Sequence, residues 1–189
     1  MLDTPSRPPH TRPEPASPPA HSVPDRGDPL ARAPLYTPVQ RARRDASPWT
    51  RVQAVLAPLQ VLVMLASAVL VLRYLGRGVG YDLATGSVLL KTALLYAIMV
   101  TGSIWEKDVF GRWLFAPAFF WEDVVSMVVV ALHTVYLFGL FGGWMSERSL
   151  MALALLAYAV YAVNALQFVL KLRRARLEPL ALLGPEVAR

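Results

Sequence analysis

The chain has 189 residues, of which 55% are hydrophobic and 17% are charged, and its formal net charge is +6. This balance excludes an ordinary soluble globular domain and predicts a membrane protein. The sequence contains no cysteine, which excludes disulfide bonds, thiolate metal sites and catalysis by a thiol.

The first part of the chain is rich in proline. Residues 1–34 hold ten of the sixteen prolines, with almost no large apolar side chain between them. Such a segment cannot bury enough apolar surface to offset the entropy lost on folding. We therefore predict that residues 1–33 form a disordered cytoplasmic tail.

Four later stretches are long and apolar enough to cross a bilayer, which needs about 20 such residues. The Ser47-Pro48 pair is a suitable start for the first of them, and Pro58 lies inside it, where membrane helices tolerate proline. Short polar connections separate the stretches. The sequence thus predicts an all-α, polytopic membrane protein with an antiparallel four-helix bundle, its spans covering residues 52–72, 83–105, 124–141 and 150–170.

Clusters of arginine flank the membrane region. "QRARRD" (40–45) precedes the first span and "KLRRAR" (171–176) follows the last. By the positive-inside rule both termini are cytoplasmic, and the connection over residues 106–120 lies on the same side. Nucleic-acid binding is the less favoured interpretation, because arginines beside membrane spans ordinarily set orientation or contact lipid headgroups.

Polar side chains gather at the predicted cytoplasmic ends of the helices. Spacings of three and four residues put several of them on one helix face. We therefore predict a polar chamber just below the cytoplasmic headgroups. Its candidate members are Gln53, Glu106, Lys107, Glu122, Asp123, Ser126, Asn164, Gln167 and Lys171.

A purely structural role is the alternative for each of these residues taken singly. Acidic side chains at a helix N-terminus gain about 0.3–1 kcal/mol from the helix dipole, which accounts for Glu122 and Asp123. Lys171 suits a helix C-terminus for the same reason, and the tryptophans resemble an aromatic belt at the membrane surface. Three helix ends converge at one level, and ionisable groups close to the membrane interior are costly and ordinarily have partners. This convergence favours a functional site.

Two further polar residues lie deeper. We expect Lys91 to extend its side chain outward to the outer membrane surface. His133 lies near the middle of the third span, where it is either an axial ligand of a porphyrin-type metal or a hydrogen-bond partner of a neighbouring helix. It stands eleven residues from Glu122, about 16 Å along the helix axis.

Three segments carry a resemblance to a known family. They are "PLYTPVQRARRDASPWTRVQAVLAPLQ" (34–60), "MVTGSIWEKDVFGRWLFAPAFFWEDVVSMVVVALHT" (99–134) and "YAVNALQFVLKLRRARLE" (161–178). Together they resemble the 3-vinyl bacteriochlorophyllide hydratase family of purple phototrophic bacteria. The resemblance covers residues 34–178, the four-helix membrane hydratase domain, and leaves residues 179–189 as a C-terminal cytoplasmic tail.

The resemblance implies a hydro-lyase that adds water to the vinyl group on ring A of a chlorophyllide in a bacterial inner membrane. Its partners would be the magnesium chlorin substrate, water and membrane lipid. Other enzymes of pigment synthesis and a second copy of the chain are compatible partners. We expect no separate cofactor and no metal site of the protein's own, because the substrate carries its magnesium and hydration needs no redox group.

Hydration of this vinyl group needs a carboxylic acid to protonate the terminal carbon and a base to take a proton from water. We expect Glu122, behind three aromatic residues, to be the acid, and Asp123 or Glu106 to be the base. Arg43, Arg44 or Arg112 is expected to meet the propionate of the substrate. The predicted substrate-binding and water-binding residues are Asn164, Gln167, Arg112, Trp121 and His133.

Two other classes of protein remain open from the sequence. A pigment-binding or pigment-delivery protein would ligate magnesium through His133 without transforming the chlorin, and would co-purify with pigment. An assembly or transport subunit would use its polar helix ends for partner helices or an ion path, and would not depend on pigment.

Overall fold

The computed structural model describes the backbone of residues 35–182 and the side chains of residues 35–173. Within these residues every regular element is a helix. The predicted disorder of residues 1–33 lies outside the described residues, as do residues 183–189. The elements in chain order are α1 (Pro38–Ala46), α2 (Pro48–Arg77), α3 (Tyr81–Phe110), α4 (Phe120–Gly142) and α5 (Glu147–Leu182).

Helices α2 to α5 are each long and apolar enough to cross a membrane, which confirms the four predicted spans and the all-α fold. Each helix extends beyond its apolar stretch. A helix of 30 residues, such as α2 or α3, is about 45 Å long and exceeds the hydrocarbon core of about 30 Å. The polar ends therefore extend to the headgroup level. Helix α5 runs to Leu182, so residues 179–182 of the predicted C-terminal tail are helical.

The helix boundaries follow local sequence signals. Helix α2 starts at the predicted Pro48 and continues through Pro58 without interruption. Helices α2 and α3 end at Gly78 and Gly111, whose φ angles of 70° and 77° are left-handed and favour glycine. Ser47 uses its hydroxyl to donate a hydrogen bond to Asp108 Oδ2, 2.9 Å away at the end of α3.

Helix α1 was not predicted. The basic cluster around residues 40–45 forms an amphipathic helix of 9 residues that packs against α3. A capping box starts it, in which Gln40 N–H donates to Thr37 Oγ1 at 3.2 Å and Thr37 N–H donates to Gln40 Oε1 at 2.9 Å. The Thr-Pro-Val-Gln sequence is the signal that would have revealed this helix.

The four long helices pack as two antiparallel hairpins. Helix α2 packs along α3 and helix α4 packs along α5, whereas α3 and α4 approach each other closely at only a few positions. The hydrophobic core lies between the hairpins, and its fully buried members include Val71, Val88, Val129, Tyr136 and Met151. The seam between α3 and α4 is consequently filled by side chains rather than by close helix contact.

Gly139 brings α4 close to α5, and replacing it with valine is expected to destabilise the hairpin by about 1–3 kcal/mol through overpacking. A Cβ atom at this position would lie 2.5 Å from Met145 Sδ and 3.1 Å from Leu150 Cδ2. The measurement is the unfolding midpoint of Gly139→Val in detergent. Gly86→Val is the matched control, because a Cβ atom there meets nothing within 4 Å. Equal midpoints for the two variants would contradict the prediction.

Candidate active site

Two buried carboxylates hold the loop between α3 and α4, which covers residues 111–119. Glu106, near the end of α3, accepts the N–H of Ala116 at its Oε2, 3.1 Å away. Asp123, in the first turn of α4, accepts the N–H of Phe115 at its Oδ2, 2.9 Å away. Phe115 has a φ of 58°, which is costly for a residue with a side chain. The two carboxylates thus fix a strained turn.

The same two carboxyl groups lie within hydrogen-bonding reach of each other. Glu106 is 5% exposed and Asp123 is 4% exposed. A hydrogen bond between two carboxyl groups requires a proton on one of them, because an ionised carboxylate only accepts. Like charges at this separation in a buried site disfavour double ionisation. The arrangement is therefore suited to hold and to exchange one proton.

Glu122, the adjacent acidic residue, has a different environment. Its Oε2 lies 2.5 Å from Lys171 Nζ, and Lys171 also donates to the backbone oxygen of Ala118. The ammonium lies 5.0 Å from the ring centroid of Phe119. The Glu122 side chain thus connects α4 to α5 through Lys171, whereas Glu106 and Asp123 hold the loop.

Buried amide oxygens face the same region from α5. Asn164 Nδ2 donates to Ser126 Oγ at 2.7 Å and so connects α5 to α4. The oxygens Asn164 Oδ1 and Gln167 Oε1 are buried and have no hydrogen-bond partner among the residues that the structure describes. Such acceptors are ordinarily satisfied by water or by a ligand. Both amides therefore have an oxygen free to accept a hydrogen bond from water, and their predicted role of orienting water stays a prediction.

An aromatic cluster around Phe119 lies at the same end of the bundle as the carboxylates. Phe119 is 2% exposed, and its ring centroid lies 5.6–6.4 Å from those of its neighbours. Arg44 of α1 lies 4.9 Å above the ring of Tyr36, and burial raises the pKa of this tyrosine against the opposing effect of the arginine. The aromatic cluster consists of Tyr36, Trp105, Phe110, Phe119 and Phe168.

Two predicted substrate-binding residues lie at the same end but on the outside. Trp121 is 70% exposed, and Arg112 is exposed on the loop after α3. Gln53 donates to Thr101 Oγ1 at 2.8 Å and so connects α2 to α3. The structure thus brings Glu106, Asp123, Glu122 and the amides of α5 to one level, with Trp121 and Arg112 on its outer rim.

The expectation that Lys91 extends to the outer membrane surface is wrong. Its side chain is fully buried, donates a hydrogen bond to Gln60 Oε1 of α2, and lies 3.8 Å from the ring centroid of Tyr161. Gln60 is fully buried as well, and its Nε2 donates to the backbone oxygen of Leu94 at 3.0 Å. The position of Gln60 inside an apolar span could have indicated a buried polar partner for Lys91 from the sequence alone. The sequence contains no comparable indication for Tyr161.

His133 has one ring nitrogen available. Its Nδ1 lies 2.8 Å from the backbone oxygen of Val129, one turn earlier on the same helix. A carbonyl oxygen only accepts hydrogen bonds, so Nδ1 carries the proton and Nε2 presents a lone pair. Nε2 is buried and has no hydrogen-bond partner in the described part of the chain. The alternative of a hydrogen bond to a neighbouring helix is therefore not realised there.

The described residues contain no group of three His, Cys, Asp or Glu side chains placed to hold a metal ion. They define a polytopic membrane protein with a buried carboxyl pair, unpaired amide oxygens and an aromatic cluster at one end of its bundle. Groups of these kinds at the edge of an apolar interior are suited to transfer a proton and to bind water.

Comparison with known proteins gives the family. The family described as 2-vinyl bacteriochlorophyllide hydratase (BCHF) matches residues 36–174. The 2-vinyl bacteriochlorophyllide hydratase of Rhodobacter capsulatus is 59% identical over 148 residues, 78% of this chain and 86% of the relative. The protein of the same name from Cereibacter sphaeroides is 62% identical over 144 residues, 76% and 89% of the respective chains. No solved structure matches. The chain belongs to the 2-vinyl bacteriochlorophyllide hydratase family, which confirms the resemblance.

Proposed function

We propose that this chain is a hydro-lyase of bacteriochlorophyll biosynthesis, which adds water to the vinyl group on ring A of a chlorophyllide or bacteriochlorophyllide. The product is the 3-(1-hydroxyethyl) pigment. The vinyl position numbered 2 in the relatives' names is position 3 in systematic numbering. The observation that carries the proposal is the buried Glu106–Asp123 pair at the same end of the bundle as the aromatic cluster. The names of the two relatives support the choice of substrate.

The Glu106–Asp123 pair supplies both proton transfers. The shared proton moves to the terminal vinyl carbon, which leaves a cation on the inner carbon that the conjugated macrocycle stabilises. Loss of this proton leaves both carboxyl groups ionised, and the adjacent cation and the loop amides of Phe115 and Ala116 offset their repulsion until water returns a proton. Water attacks the inner carbon and returns one proton to the pair. One water molecule is added, and the carboxyl pair regains its starting protonation.

The surrounding polar groups orient the attacking water. Asn164 Oδ1 and Gln167 Oε1 accept hydrogen bonds from it, which satisfies both buried oxygens. Glu122 holds Lys171 beside the loop and the aromatic cluster, so its role in this proposal is to position these elements rather than to donate a proton.

The magnesium chlorin enters as a flat apolar disc whose vinyl edge reaches the carboxyl pair. Trp121 and Arg112, on the outer rim, receive the disc at the membrane boundary, and His133 Nε2 is suited to ligate its magnesium. The protein itself supplies no cofactor. We assign it to a bacterial inner or intracytoplasmic membrane with both termini in the cytoplasm, because its arginine clusters flank the first and last spans.

Membranes from a non-phototrophic host that express this chain are expected to hydrate a 3-vinyl chlorophyllide in oxygen-18 water in the dark. The product gains the mass of one labelled water, and its red absorption band shifts to shorter wavelength because conjugation is lost. Membranes without the chain are the control. An unchanged pigment, with insertion of the protein demonstrated, would contradict the proposal.

A pigment-binding protein without catalysis is the second candidate, since the unpartnered lone pair of His133 suits an axial ligand. That protein would retain the chlorin on purification, would lose it in His133→Ala, and would leave the vinyl group unchanged. The oxygen-18 experiment separates the two functions.

A further inference from the structure

Lys91 is the one fully buried cationic side chain in the described part of the chain. It lies ten residues from the outer end of α3, about 15 Å along the axis. Its hydrogen-bond partner there is the neutral amide of Gln60, and no carboxylate of the described residues forms an ion pair with it. A charged group in the middle of a membrane protein is costly without an opposite charge. The protein thus leaves this ammonium without a counter-ion of its own.

The surroundings of Lys91 are ordered as a binding site. Gln60 is fixed by its bond to the backbone of Leu94, which aims its Oε1 at the ammonium. Tyr161 offers the face of its ring from α5. An ammonium has three donors, so the bond to Gln60 leaves others for a ligand. His133, whose buried Nε2 has no partner, lies within electrostatic range on α4.

The two ends of the substrate determine what Lys91 meets. A chlorophyllide carries its vinyl group on ring A and its free propionate on ring D, which are neighbouring pyrroles, and the two substituents diverge from each other. When the vinyl group reaches the Glu106–Asp123 pair, the propionate projects away from that pair. Its flexible chain can then extend toward the deeper part of the bundle, where Lys91 lies.

We propose that Lys91 is the counter-ion of the substrate's propionate, an inference that rests on the proposed function and deepens it. Gln60 holds the ammonium at the level of Leu94, which is twelve residues from Glu106, about 18 Å along α3. A substituted chlorin spans this interval together with the side chains at its two ends. Helices α3 and α4 approach each other closely at only a few positions, so the side chains that fill the seam between them separate to admit the disc in this proposal.

The test compares a 3-vinyl chlorophyllide with its propionate methyl ester. Wild-type protein is expected to have a KM for the free acid at least about tenfold below that for the ester, because a charge-assisted bond forms only with the acid. Lys91→Met raises the KM for the acid to that for the ester, changes the KM for the ester by less than about twofold and leaves kcat similar. Arg112→Gln keeps the preference for the acid.

Three results would overturn the inference: wild-type protein that does not distinguish acid from ester, a preference that survives in Lys91→Met, or a preference that Arg112→Gln abolishes. The double variant Gln60→Leu/Lys91→Met gives the same comparison without leaving the Gln60 oxygen unpaired. If wild-type protein hydrates neither pigment, the proposed function fails. In that case, the binding of the acid and of the ester, each measured by absorbance, tests the inference separately from the proposed function.

Discussion

Replacing Glu106 with glutamine is expected to reduce the hydration rate by about 10²–10⁴-fold, the usual contribution of a general acid or base. Glutamine keeps an oxygen that can accept the Ala116 N–H, so the loop retains its hydrogen bond. It cannot donate a proton to the vinyl carbon or recover one from water. The measurement is kcat for a 3-vinyl chlorophyllide in membranes with equal amounts of inserted protein.

Asp123→Asn is expected to have an effect of the same order, because the proposed mechanism uses both carboxyl groups as one pair that shares a proton. The effects of the two substitutions should not add, since either one disables the pair. Asp82→Asn is the matched control, because Asp82 is an exposed carboxylate in the first turn of α3, at the opposite end of this helix from Glu106. Full activity in both site variants would show that the carboxylates only hold the loop.

Lys171→Met is expected to lower the free energy of unfolding by about 1–3 kcal/mol, because it leaves the carboxylate of Glu122 unpaired in a site where that side chain is 9% exposed. The Ala118 backbone oxygen loses its donor in the same variant. The measurement is the unfolding midpoint in detergent.

The double variant Glu122→Gln/Lys171→Met provides the control, since it removes the charge of Glu122 together with that of Lys171. It should recover part of the stability lost in Lys171→Met, so the two single effects are not additive. If Glu122→Gln destabilised the Lys171→Met variant by as much as it destabilises the wild-type protein, the two effects would be additive. That result would argue against a specific ion pair.

The membrane architecture could be predicted because it depends on local composition. Apolar stretches of the required length determine four spanning helices, and glycines at positions 78 and 111 end two of them. The level of the candidate site was predictable for a similar reason. Helix length fixes depth, so polar residues at helix ends on one side of a membrane necessarily meet at one level.

The partners within the site could not be predicted, because they depend on the path of the loop between α3 and α4. Nothing in the sequence indicates that Phe115 adopts a left-handed conformation. This turn brings Glu106 to Asp123 and leaves Glu122 for Lys171, and the sequence did not indicate either pairing. The direction of the Lys91 side chain was predicted wrongly, because whether a lysine extends to the membrane surface depends on its neighbours as well as on its depth.

The hydrogen bonds of Glu106 and Asp123 to the strained loop make chemistry and local folding inseparable at these positions. Each carboxyl group uses one oxygen to hold a backbone amide in place. Truncating either residue to alanine would release the turn as well as remove the acid, so an inactive alanine variant could not distinguish a lost proton donor from a collapsed site. Isosteric amides separate the two effects, and an alanine scan of this family would overstate how many residues take part in proton transfer.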